Sequence, residues 1–133
     1  MPWLSKPRVV VDTNIFVSGV LFGGNPEKIL RQVSQRIISL VITPGIKAEI
    51  LRKLEKFEVG EADLEKWNQI LDGCHRVVPT IKVNICRDPK DNMFLEACLE
   101  SGADFIITGD KDLLTIKKFK ETLIISPAEF LQK

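Results

Sequence analysis

The 133-residue chain carries a single histidine, only three cysteines and a formal net charge of +1, and each shortage removes a class of chemistry. His75, beside Cys74, has no second histidine with which to build a soft-metal site, and adjacent residues on a strand face opposite ways, so a structural role is expected for it. Cys74, Cys86 and Cys98 are an odd set without a C-x-x-C pair, which indicates neither a disulfide framework nor a zinc knuckle. The near-neutral charge gives no broad basic field, so a nucleic-acid partner would have to be held locally by a few lysines and arginines. No apolar run approaches the ~18 residues of a membrane-spanning helix. The segment from Met1 to Arg8 has no apolar stretch before its basic residues, and Val9-Val10-Val11 runs straight into Asp12, unlike a secretory leader; a cytoplasmic protein is expected.

What is present is alternation. At this length one core can bury roughly two-thirds of the unfolded chain's surface, and a single domain over residues 1–133 is expected. Internal repeats and low-complexity tracts are lacking, and glycine and proline punctuate periodic segments. Short β-branched apolar runs at Val9–Val11, from Ile37-Ile38 to Ile42, at Val77-Val78, Phe105–Ile107 and Leu123–Ile125 predict strands buried on both faces, as in a parallel sheet. Between them, Asn25-Pro26, Thr43-Pro44 and Ser126-Pro127 each place a capping side chain before a proline at the first helical position, and Glu129 completes a capping box with Ser126. The segment Asp63–Cys74 aligns Leu64, Trp67, Ile70, Leu71 and Cys74 at helical spacing, which makes Trp67 a core residue rather than a base-stacking one; Trp3 is left open between the two. The order of elements predicts an α/β fold, a three-layer α/β/α sandwich with a central, mainly parallel sheet.

In such sheets ligands bind beyond the carboxyl ends of the strands. Asp12 directly follows the first strand, and Asp110 stands two residues after Thr108 at the end of the Phe105–Ile107 strand, so both carboxylates project from one edge. Asp91 falls on the apolar arc of its helix, with Asn92, Glu96 and Glu100 on the opposite face. Either it caps the helix in Asp88-Pro89-Lys90-Asp91, or it is a ligand aimed at the core side. Glu49 lies off the stripe of Ile46, Ile50 and Leu54 and four residues before Lys53, which by itself reads as a solvated ion pair. Asp110-Lys111-Asp112 by itself reads as a polar turn. Converging acids repel one another unless a cation neutralises them, and an oxygen-only donor set favours Mg²⁺ or Mn²⁺ over zinc. Such ions can activate water and hold a phosphodiester for in-line attack. Lys47, Arg52, Lys53, Lys111, Lys117 and Lys118 offer phosphate contacts, although charged helix faces are usually only solvated.

With these residues in place, the chain resembles the PIN-domain nucleases, in particular the PIN-family toxin components of toxin-antitoxin systems. The resemblance is carried by Val9-Val10-Val11-Asp12-Thr13-Asn14, by Glu49 in the helix after the second strand, by Asp91-Asn92-Met93-Phe94-Leu95-Glu96-Ala97 and by Thr108-Gly109-Asp110-Lys111-Asp112. It implies a metal site in which Asp12, Glu49, Asp91 and Asp110 match the family's acids, with Asp112 as a fifth acid. Asn14 and Thr108 match supporting polar positions that orient ligands or waters, though turn and helix capping would also account for them. It further implies cleavage of single-stranded RNA by metal-activated water, a homodimer and an antitoxin partner. Two other readings remain: a PIN-like module that binds RNA or protein without cutting, and a Mg²⁺-dependent phosphatase. The phosphatase is disfavoured because Asn14 stands where a second Asp is expected. The Pro79–Lys90 segment, long and polar enough for a substrate or partner loop, has no assigned position.

Overall fold

The computed structural model describes residues 5–133; Trp3 lies outside them. Strands β1 (Arg8–Val11), β2 (Ser39–Ile42), β3 (His75–Arg76), β4 (Phe105–Ile107), β5 (Lys118–Phe119) and β6 (Thr122–Ile125) form one sheet in the order β3-β2-β1-β4-β6-β5. All neighbours are parallel except β5 and β6, which pair as an antiparallel hairpin. Helices α1 (Thr13–Leu21), α2 (Gly24–Ser34), α3 (Pro44–Lys56), α4 (Glu61–Asp72), α5 (Asn92–Ser101), α6 (Lys111–Ile116) and α7 (Pro127–Leu131) cover the sheet. This is the expected α/β/α sandwich around a mainly parallel sheet.

The central strands are apolar because they have no solvent face. Val9 and Val10 of β1 and Ile106 and Ile107 of β4 are fully buried, and each such side chain stabilises the fold by about 1.5–3 kcal/mol. The register Val9↔Phe105, Val10↔Ile106, Val11↔Ile107 aligns β1 and β4 end to end. From β1 the chain moves to β2 and β3 on one side and later returns to place β4 on the other. The crevice beyond β1 and β4 is therefore the topological switch point, where open α/β sheets gather ligands.

Several local expectations hold and others need correction. Thr43 caps α3 with Pro44 in its first turn, and Ser126 with Glu129 forms the capping box of α7. Asn25 is not a cap. Gly23 holds that position without a side-chain bond, and Gly23 and Gly24, at φ +79° and +74°, turn the chain where most side chains would be strained. The third strand lies at His75–Arg76, not Val77-Val78, because its ladder to β2 pairs Val41 with His75 and Ile42 with Arg76. Ile37 precedes β2 and is exposed, and Leu123 is exposed on β6. Trp67 packs on the core, its ring 5.2 Å from that of Phe16 in an edge-to-face contact.

Asn92, Glu96 and Glu100 do share one face of α5, but that face is covered by the chain rather than by water alone. The Pro79–Lys90 segment crosses it as a strap. Thr80 donates from its backbone N–H and hydroxyl to Glu100, Val83 N–H donates to Glu96, and the N–H groups of Ile85 and Cys86 donate to Asn92 Oδ1. Asn92, expected on the solvated side, is consequently buried. An irregular segment leaves backbone donors without ladder partners, and three side chains spaced four residues apart supply them here.

Candidate active site

Asp12 and Thr108 extend the β1 and β4 ladders one step past the strands. Asp12 N–H donates to Ile107 O at 2.9 Å and Thr108 N–H to Ile125 O at 3.0 Å. That backbone pairing sets the side chains side by side. The Thr108 hydroxyl donates to Asp12 Oδ2 at 2.7 Å and accepts from Asp110 N–H at 3.0 Å. Asp12 Oδ1 accepts from Asn14 N–H at 3.0 Å, which makes Asp12 the N-cap of α1, and Asp110 Oδ1 caps α6 through Asp112 N–H at 3.0 Å. Asp12 is only 5% exposed and Thr108 is fully buried, whereas Asp110 is half-buried.

Asp91 reaches the same rim from α5. The capping task in its turn belongs to Asp88, whose carboxylate accepts from Lys90 N–H at 3.0 Å; Asp91 makes no capping bond. Burial pushes the Asp91 carboxyl up to about 7, reinforced by the neighbouring Asp110 and by the charges of Asp12 and Asp88. Loss of hydration and nearby negative charge both favour the uncharged form of such an acid. The Cys86 thiol, on the strap, is pushed up to about 11 by burial and then by Asp91, Asp110 and Asp88. It stands beside the acids as an unreactive thiol.

Glu49 is placed differently. Its carboxylate accepts two bonds from Arg52, at 2.8 and 3.2 Å, and lies 3.6 Å from Lys53 Nζ; Arg52 chiefly holds its pKa below the usual range. Lys53 in turn donates to Asn14 Oδ1 at 2.7 Å, so a chain of polar contacts links Glu49 to the residue that caps onto Asp12. Asp112 is exposed and 4.0 Å from Arg87. Thus Asp12, Thr108, Asp110 and Asp91 are brought together, Asn14 bridges outward, and Glu49 and Asp112 stand at the margin on arginine partners. Arg87 and Cys86 were not anticipated. Their signal was only that they precede Asp88 in a segment whose path the sequence does not reveal.

Among the described residues, no group of three or more acidic, histidine or cysteine side chains is placed to hold a metal ion. The donor set still fits a hard cation. It is all oxygen, and Mg²⁺ typically keeps several waters and takes one or two carboxylates per ion. Asp91 and Asp110, with Asp12 nearby, offer oxygen donors of that kind, and a cation there would offset the repulsion that adds to burial in raising Asp91.

Known proteins agree with this architecture. The family profile described as PIN domain matches residues 8–112, which runs from β1 through Asp112 and includes Asp12, Glu49, Asp91, Asp110 and Asp112. The protein MJ1680 of Methanocaldococcus jannaschii, described as uncharacterized, is 33% identical over 143 aligned positions, covering 96% of this chain and 92% of that protein. No helix of the described residues is long and apolar enough to cross a membrane. With both the profile and the relative extending over most of its length, the chain belongs to the PIN domain family.

Proposed function

We propose that this chain is a Mg²⁺- or Mn²⁺-dependent endoribonuclease that cuts single-stranded RNA at the β1–β4 crevice. The observation that carries the reading is the convergence of Asp12, Asp91 and Asp110, from three separate elements, on one rim where burial, with the neighbouring acids, raises the Asp91 carboxyl. Asp12, Asp91 and Asp110 would hold the cation, with Glu49 joining once Arg52 and Lys53 release it, and Asp112 acting from the outer margin. When bound, the ion would supply charge neutralisation and an activated water for attack on phosphorus. Thr108 keeps Asp12 Oδ2 oriented, and Asn14 does the same for Oδ1 through its backbone N–H. Arg52 and Lys53, displaced from Glu49, become counter-ions for phosphate.

Cleavage of a single-stranded RNA should require Mg²⁺ or Mn²⁺ and should vanish in Asp12→Asn and Asp91→Asn, with circular dichroism unchanged. Equal cleavage by these variants would mean a contaminating nuclease and would remove the mechanism. A toxin role, an antitoxin partner and a homodimer are carried by the family resemblance. Copurification of a small protein partner and light scattering test the second and third directly.

A further inference from the structure

Immediately beside the acidic rim, α3, the strap and the start of α5 enclose a groove of about 720 Å³. Its volume lies within the ~300–1,000 Å³ that accommodates a compact ligand. Its lining includes Glu49 and Arg52 of α3 and Lys90 and Asn92, the residues on either side of Asp91. The charges facing it are unequally committed. Glu49 is engaged by Arg52, and Glu96 is engaged by Val83 N–H. Lys82 and Lys90 have no carboxylate partner among the described residues and are exposed. Val83 and Met93 give the groove an apolar lining.

Asn92 supplies an independent sign that the groove takes a polar ligand. Its side-chain oxygen accepts from both Ile85 and Cys86 N–H, which fixes the orientation of the amide. The NH₂ group is left with no partner among the described residues, although Asn92 is only 7% exposed and lines the groove. Two unpaired ammonium groups, an apolar face and a free amide donor together describe a nucleotide: phosphates, a base to lie on the apolar face, and an acceptor on the base edge. A duplex keeps its base faces stacked and its Watson–Crick edges paired, so only an unpaired nucleotide can use all three.

We propose that the groove between α3 and the strap seats the unpaired nucleotide adjoining the cleaved phosphate, with Lys82 and Lys90 on flanking phosphates, Met93 and Val83 against the base, and Asn92 donating to its edge. The inference rests on the nuclease reading, and binding measured apart from cleavage separates the two. Fluorescence anisotropy of a labelled single-stranded RNA, with Asp12→Asn as the non-cleaving background, reads binding alone. Adding Lys82→Ala and Lys90→Ala together should weaken it about tenfold and flatten the slope of log Kd against log salt by about 0.7 for each lysine. Adding Met93→Ala should weaken binding with no change in that slope. In the cleaving protein the same lysine pair should raise KM with little change in kcat. Unchanged binding and slope in the lysine variant, while Asp12→Asn still abolishes cleavage, would overturn the groove and leave the nuclease standing. Groove-dependent binding with no metal-dependent cleavage would support the groove and sink the nuclease. Equal weakening for a blunt RNA duplex would overturn the unpaired-nucleotide assignment.

Discussion

The two sides of the acidic rim are built by different means. At the β1–β4 side, Asp12, Thr108 and Asp110 are fixed by bonds of 2.7 to 3.0 Å among backbone groups and short side chains. On the α3 side, Glu49 is fixed by Arg52 and Lys53, whose long side chains end at the surface. The first arrangement follows from the strand ladder. The second is an ion-pair arrangement in contact with water, weak and salt-screened, whose partners a cation or a phosphate can exchange. A site for a highly charged ligand thus combines a preorganised half with a half whose counter-ions are replaceable.

Activity should expose this asymmetry most strongly. Asp110→Asn should lower kcat/KM on single-stranded RNA by ~1000-fold or more, since a metal site is worth several kcal/mol to the transition state, whereas Glu49→Gln should cost about 10–100-fold, as for outer positions around a metal. Equal losses would erase the distinction between the two sides. Thr108→Val comes next. It removes the donor to Asp12 and the acceptor for Asp110 N–H, so Mn²⁺ affinity by titration calorimetry should fall about 10–100-fold and unfolding free energy by about 1–3 kcal/mol in urea melts.

The pH dependence of stability is smaller, and its sign is fixed by Asp91. An unfolded aspartate titrates near roughly 3.9, whereas in the fold Asp91 is raised to about 7. The folded chain therefore favours the protonated acid, and this group's effect is to lower stability progressively as pH rises from the unfolded value to the folded one, with no further change above it. Metal-free Asp91→Asn should melt higher than the parent at pH 8 and no higher at pH 4. Added Mg²⁺ should raise the parent's midpoint more at pH 8 than at pH 5.5. A parent whose metal-free midpoint climbed between pH 5 and 8 relative to Asp91→Asn would contradict the assigned environment. Smallest of all, Arg52→Ala should leave the thermal midpoint unmoved while tightening Mn²⁺ binding about twofold, because it releases Glu49 from its strongest partner.

The rim was legible in the sequence because its geometry is local: an acid at the end of an apolar strand must emerge at the sheet edge, and Asp12 and Asp110 do so. The helices capped by Thr43 and Ser126 were legible for the same reason. Asp91 was ambiguous because two acids, three residues apart, competed for one cap, and only coordinates show that Asp88 takes it. The strap was illegible. Its path depends on bonds between backbone N–H groups at 80, 83, 85 and 86 and side chains of a helix that follows it, and no periodicity encodes such pairing. The same hidden contacts turned Asn92 from an expected surface residue into a buried one. The β5–β6 hairpin was missed because a two-residue strand leaves almost no pattern.

That brevity has a consequence of its own. Both margins of the sheet, β3 and β5, are two residues long, and the outer hairpin carries Lys117, Lys118 and Lys120 with Lys117 and Lys120 in left-handed conformations. A foreign strand arriving at either border meets too few open amide groups to continue the ladder, and at one border a cluster of positive charge as well. The fold is in this way guarded against growing sideways into aggregates, and any pairing between copies is left to its helices and loops.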